Sequence, residues 1–85
     1  MHIEWTKKAT KDMRKLPTDV RKRIFAKVTQ YATDPASLAN NVKALVGSDD
    51  YRLRVADYRV IYRVEGDTVT VMVVMRVRHR SEAYE

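Results

Sequence analysis

The side chains of this chain best suited to act on a substrate are arginines, one histidine near the end of the sequence, and tyrosines. Arg52, Arg54, Arg59, Arg63, Arg76, Arg78 and Arg80 recur through its second half, and His79, Glu82 and Tyr84 lie among or just beyond the last of them. A guanidinium is a poor base, but it binds phosphate through paired hydrogen bonds and stabilises negative charge building on it. Histidine ordinarily titrates near neutrality, and surrounding cations would favour the phenolate of Tyr84. These are the parts needed for RNA cleavage without a metal. One group takes the proton of a 2′-hydroxyl, guanidiniums stabilise the phosphorane, and another group protonates the leaving oxygen. From residue chemistry alone, plain binding of nucleic acid or of an acidic partner stands ahead of cleavage.

Other chemistries lack their residues. There is no Gly-rich phosphate loop, no HExxH and no cluster of His and acids at metal-ligand spacing. Neither Ser37 nor Ser48 has a histidine and an acid suitably placed for a hydrolase triad. With no cysteine there is no disulfide, thiol nucleophile or thiolate metal site, which suits a reducing cytosol. The opening residues carry no signal-peptide pattern, and the apolar run Val71 to Met75 is too short to span a bilayer. The expectation is therefore a cytoplasmic protein without a membrane partner. Seventeen Lys+Arg against eleven Asp+Glu give a net charge of +6, which favours polyanions.

Strand alternation must position the arginines. From Tyr51 to Val64, apolar residues alternate with Arg52, Arg54, Arg59 and Arg63, the pattern of half-buried strands. A two-residue turn at Ala56-Asp57 places Val55 opposite Tyr58 and Arg54 opposite Arg59. Like charges directly across a ladder destabilise it, so an anion between them would explain the arrangement. Gly66-Asp67 has the Gly-first pattern of a type II′ turn. That turn would pair Val64 with Val69, Tyr62 with Val71, Val60 with Val73 and Tyr58 with Met75, leaving Arg59 facing Val74. One face then reads Tyr51, Leu53, Val55, Tyr58, Val60, Tyr62, Val64, Val69, Val71, Val73, Met75 and Val77. The other carries Arg52, Arg54, Arg59, Ile61, Arg63, Thr70, Met72, Val74, Arg76 and Arg78.

Earlier in the chain, His2–Trp5 alternates as a short strand that could join the sheet. Thr6 is an N-cap, with Trp5 packing on the following turn. Ala9, Met13 and Leu16 recur at helical spacing. Pro17 ends that helix and opens a second, with Thr18 as an alternative cap. The second stripe is Val20, Ile24, Val28 and Tyr31 or Ala32, with Phe25 at its edge, and Asp34-Pro35 closes it. Between Lys7 and Lys27 stand nine Lys/Arg and only two acids, Asp12 and Asp19. Lys7, Lys8, Lys11, Arg14, Lys15, Arg21 and Lys22, with Arg63, Arg76 and Arg80, are candidate RNA- or ribosome-binding cations. The ordinary alternative is a solvated helical face. Residues 35–50 read as a helical turn, a short extended piece through Val42 and Leu45, and a loop. The order is strand, two helices, then a three-stranded meander. It gives one α+β domain over residues 1–85, in which an N-terminal strand and an αα-hairpin pack on a twisted antiparallel sheet.

The ordered set of motifs resembles the RelE/ParE toxin family of toxin–antitoxin modules. The resemblance runs through Trp5 and the Ala9 helix, Lys15-Leu16-Pro17, Asp34-Pro35, and Lys43-Ala44-Leu45 with Gly47-Ser48. It continues through Tyr51-Arg52-Leu53-Arg54, Asp57-Tyr58-Arg59-Val60-Ile61-Tyr62, His79-Arg80 and Glu82-Ala83-Tyr84. Resemblance to the RelE branch implies an endoribonuclease, or mRNA interferase, that enters the ribosomal A site and cuts mRNA by 2′-OH attack without a metal or other cofactor. It implies catalytic roles for Arg52, Arg54, Arg59, Arg78 and Tyr84, while His79 is added from its chemistry. Relatives often carry lysines where Arg52 and Arg54 stand, so the proton acceptor here falls to Tyr84, His79 or Glu82. The resemblance also implies a cognate antitoxin, with operator DNA bound only by the toxin–antitoxin complex. The ParE branch would instead make the chain a poison of DNA gyrase, and an inactive nucleic-acid-binding relative is the third alternative.

Overall fold

The computed structural model describes residues 1–82, so the expected role of Tyr84 lies outside the described residues. Strand β1 (His2–Trp5) leads into helix α1 (Lys7–Arg14) and helix α2 (Thr18–Thr33). A 3₁₀ segment, Pro35–Asn41, then leads into the strands β2 (Val42–Ala44), β3 (Tyr51–Val55), β4 (Tyr58–Glu65) and β5 (Val71–His79). They form one sheet in the order β1-β5-β4-β3-β2, with β1 parallel to β5 and the other pairs antiparallel. The expected three-stranded meander is therefore extended at both edges. No helix among the described residues is long and apolar enough to cross a membrane.

The helices begin and end where local chemistry requires. Thr6 caps α1, its hydroxyl accepting the Ala9 amide at 3.1 Å. Pro17 stands at the N-cap of α2, where its missing N–H costs nothing, and Asp34-Pro35 follows the last helical residue. Ala9, Ile24, Val28 and Ala32 are buried against Leu53, Val55, Val60, Tyr62, Met72, Val74 and Val77 of the sheet. Met13, Leu16, Val20 and Tyr31 pack around that core. The buried Tyr62 hydroxyl donates to the Tyr31 hydroxyl at 2.7 Å, which satisfies a polar group the core would otherwise strand. Burial and that bond push the Tyr62 phenol well above its ordinary pKa.

The β3–β4 connection holds two residues, as expected, with Val55 opposite Tyr58. Ala56 takes the positive φ of 52° that this tight hairpin demands. The β4–β5 connection differs from the expected two-residue turn. Gly66 does adopt φ 94°, but the loop runs over residues 66–70, from Glu65 opposite Val71. A side chain at Gly66 would collide with the Val69 carbonyl, which folds back over it. Val64 consequently faces Met72 instead of Val69, a slip of three positions that inverts the first part of β5. Met72 and Val74 enter the core, Val71 and Val73 leave it, and Val64 and Val69 are exposed.

A β-bulge between Ile61 and Tyr62, opposite Met75, then adds one position. Beyond it Arg59 faces Arg78 instead of Val74, a slip of four positions. An even slip restores the expected parity, so Val77 is buried while Arg76 and Arg78 point away from the core.

Helix α1 holds that bulge from outside. β1 ends at Trp5, opposite Val74, and past it the edge of β5 has no strand partner. The Thr6 amide donates to the Val74 carbonyl at 3.1 Å, and its hydroxyl donates to the Met75 carbonyl at 3.0 Å. Asp12, two turns along, accepts the Val77 amide at 2.9 Å. Side chains of α1 thus complete the ladder where backbone has run out.

Candidate active site on the arginine face

Two rungs cross the sheet on the face away from α2. One comprises Arg54, Arg59 and Arg78, each directly opposite the next. Beside it runs Lys43, Arg52, Ile61 and Arg76. Guanidinium-bearing residues of three neighbouring strands therefore meet on one side, the arrangement expected from alternation. Arg54 is exposed, while Arg52, Arg59 and Arg78 are half-buried. Arg52 Nε is buried and has no hydrogen-bond partner among the described residues.

Other arginines are held by carboxylates. Arg76 donates from Nε and Nη2 to Asp12 at 2.9 and 3.3 Å. Burial alone would raise the Asp12 carboxyl. The hydrogen bonds from Arg76 and the Val77 amide, with the charges of Arg76 and Arg78, outweigh it and hold Asp12 below the ordinary carboxylate range. Arg63 donates to Asp50 at 2.8 Å. Arg80 lies 3.9 Å from Asp57, both exposed, and its backbone amide donates to the Asp57 carbonyl at 2.7 Å. The segment after β5 is thereby fastened to the β3–β4 turn, beside the Arg54-Arg59-Arg78 rung.

His79 is not in that rung. It pairs with Tyr58 on the core-facing side, its ring edge-on to the Tyr58 ring at 5.2 Å. Its Nδ1 accepts the Ser81 amide at 3.2 Å and lies 2.8 Å from Ser81 Oγ. Its backbone amide donates to Glu82 Oε1 at 3.3 Å. His79, Glu82 and Arg78 nevertheless border a common hollow of about 230 Å³, with Asp12, Lys15 and Tyr58. Groups able to move protons and a cation able to stabilise charge thus share one cleft.

The helical cations separate by location. Lys7 and Lys8 border a second hollow, about 520 Å³, on the arginine face with Ile61, Met75, Arg76 and Asp50. Lys7 and Lys8 also border, with Lys11 and Arg14, a hollow on the outer side of α1. Arg21 and Lys22 lie on α2, across the sheet from the arginine rungs, and Arg21 donates to Thr18 at 3.0 Å. Sequence reasoning missed the parts played by Asp12, Asp50 and Lys43. The sole signal for Asp12 was its rarity as an acid within a basic run, and charge alone does not say which arginine an acid will meet.

A family model described as the ParE toxin of the type II toxin–antitoxin system parDE matches residues 3–84. The mRNA interferase toxin RelE of Escherichia coli K12 is 30% identical over 83 residues, covering 96% of this chain and 87% of that protein. Toxin RelE3 of Methanocaldococcus jannaschii is 32% identical over 88 residues, covering 100% and 97%. Among solved structures, the intact E. coli RelBE toxin–antitoxin complex superposes with a TM-score of 0.73 at 28% identity, over 92% of this chain and 94% of that one. A YoeB/ParE toxin from Agrobacterium tumefaciens gives 0.76 at 20% identity, over 93% and 98%, which supports the fold. With its five-stranded sheet, its two N-terminal helices and this near-complete match, the chain belongs to the RelE/ParE family of type II toxin–antitoxin toxins.

Proposed function

We propose that this toxin is an mRNA interferase of the RelE kind, an endoribonuclease that acts in the cytoplasm on mRNA held in the ribosomal A site. The observation that carries the reading is the Arg54-Arg59-Arg78 rung, which gathers positive charge where a scissile phosphate would seat. In the reaction the 2′-oxygen attacks the adjacent phosphorus. The new O–P bond forms as the bond to the 5′-oxygen breaks, leaving a cyclic phosphate and a 5′-hydroxyl. Arg54, Arg59 and Arg78 stabilise the charge on the phosphorane, and the guanidinium of Arg52, in the adjoining rung, adds to the positive field. The 2′-OH proton passes to one of Tyr84, His79 and Glu82, and another of them supplies the proton for the leaving oxygen. A cognate antitoxin completes the module, and the relatives solved as RelBE and RelB-RelE complexes support such a partner.

The description of the matching family as ParE keeps a second reading open, inhibition of DNA gyrase on the same scaffold. Primer extension on mRNA from a translating extract, beside a gyrase supercoiling assay with the same preparation, separates them. New 3′ ends in codons and unaltered supercoiling are expected. Intact mRNA with blocked supercoiling would overturn the proposal.

A further inference from the structure

Trp5 and Phe25 form an aromatic step at the β1 edge of the sheet, on the side opposite the arginine rungs. Their rings lie 6.2 Å apart and within 14° of parallel. Phe25 is 56% exposed and so leaves an aromatic ring open beside Trp5. Trp5 forms the floor of a hollow of about 380 Å³ whose walls are Lys7, Lys8, Lys11 and Arg14 with Thr10. That volume falls at the lower end of the roughly 300–1,000 Å³ of small-ligand sites. Among the described residues, no acid lines it. Arg21 and Lys22 precede Phe25 by four and three residues on α2, so helical geometry sets them on the same side.

An aromatic floor within a ring of cations and without carboxylates matches an unpaired nucleobase flanked by its phosphates. An acidic peptide would satisfy the charge but has no use for a flat ring. We infer that the Trp5 hollow is a second RNA site, which stacks one unpaired base and anchors the toxin to structured RNA while the arginine rungs act elsewhere on the strand. The inference rests on the proposed ribosomal action for its biological setting, but the site's existence is tested without cleavage.

Trp5 is the sole tryptophan of the chain, so the fluorescence of a residue lining this hollow can be followed without interference from another indole. A short 2′-O-methyl oligoadenylate, which has no free 2′-hydroxyl to attack, is titrated into the full chain at low salt. Saturable quenching is expected, retained in Arg59→Ala/Arg78→Ala and weakened roughly tenfold in affinity by the exposed double substitution Lys8→Glu/Lys11→Glu. Phe25→Ser should weaken it further. Base-free polyphosphate should bind without comparable quenching. Absence of quenching, equal quenching by polyphosphate, or stronger quenching by a polyglutamate peptide would each overturn the assignment. Quenching that vanishes in the Arg59→Ala/Arg78→Ala chain but survives Lys8→Glu/Lys11→Glu would do so as well. Failure of mRNA cleavage with quenching intact counts against the interferase reading and leaves the stacking site standing.

Discussion

Arg59 of β4 stands directly opposite Arg78 of β5, so one rung of an antiparallel ladder carries two guanidiniums on the face away from α2. Like charges so placed weaken a sheet unless a counter-charge offsets them. The double substitution Arg59→Ala/Arg78→Ala should leave the fold intact, with a thermal midpoint within a few degrees of the parent chain's. It should lower mRNA cleavage at least about a hundredfold, by removing donors to the developing charge. Calorimetry and primer extension check the two halves, and a stable variant that still arrests growth would remove the rung from the mechanism.

Asp12 supports the rung from outside the sheet. Asp12→Ala removes the acceptor for the Val77 amide and the partner of Arg76, and should cost about 1–3 kcal/mol in urea unfolding, with the Arg76 share reduced by its solvent exposure. Asp12→Asn keeps an oxygen for Val77 and should cost less. If both variants unfolded at the wild-type urea concentration, the edge contact would have no energetic weight.

The acid limit of stability should carry the signature of the same carboxylate. Its folded pKa lies below the ordinary 3.8, so the folded chain binds fewer protons there and stability rises with pH across that interval. The stability difference between wild type and Asp12→Asn should be flat from about pH 5 to 8. It should shrink as pH falls below 3.8 through the depressed value. A difference that grows on acidification would contradict this sign.

The tyrosine pair gives an asymmetric prediction. Tyr62→Phe removes a buried donor together with its bond and should cost about 1 kcal/mol. Tyr31→Phe leaves the buried Tyr62 hydroxyl with no acceptor and should cost more, about 1–3 kcal/mol. Equilibrium denaturation of the two variants decides the order.

How far the fold was legible in the sequence follows from where the alternation is clean. Tyr51 to Val64 alternates on either side of its turn, with Ile61 the one apolar residue on the arginine face, and it placed Arg54 opposite Arg59 and fixed which side of β3 and β4 is buried. Val71-Met72-Val73-Val74-Met75 does not alternate at all, because β5 is flanked by β1 and β4 and carries apolar residues on both faces. Nothing in such a run signals parity, so the turn at Gly66 had to supply it, and the longer loop gave the wrong answer for Met72 and Val74. Arg76 and Arg78 fell on the expected face because the bulge compensated, a tertiary feature set by Thr6 and Asp12 nearly seventy residues away. His79 follows the same logic in reverse: being next to Arg78 in sequence puts it on the opposite side of a strand.

The seating of β5 between β1 and β4 also governs when the fold can close. Thr6 meets Met75 across a separation of 69 residues, and the core beneath α2 lacks Met72, Val74 and Val77 until β5 arrives. A nascent chain emerging from the ribosome consequently has neither a closed interior nor the third guanidinium of its rung, and such long-range pairing assembles slowly. The proposed cleavage centre is thus a late product of synthesis: its rung closes only once β5 has cleared the exit tunnel.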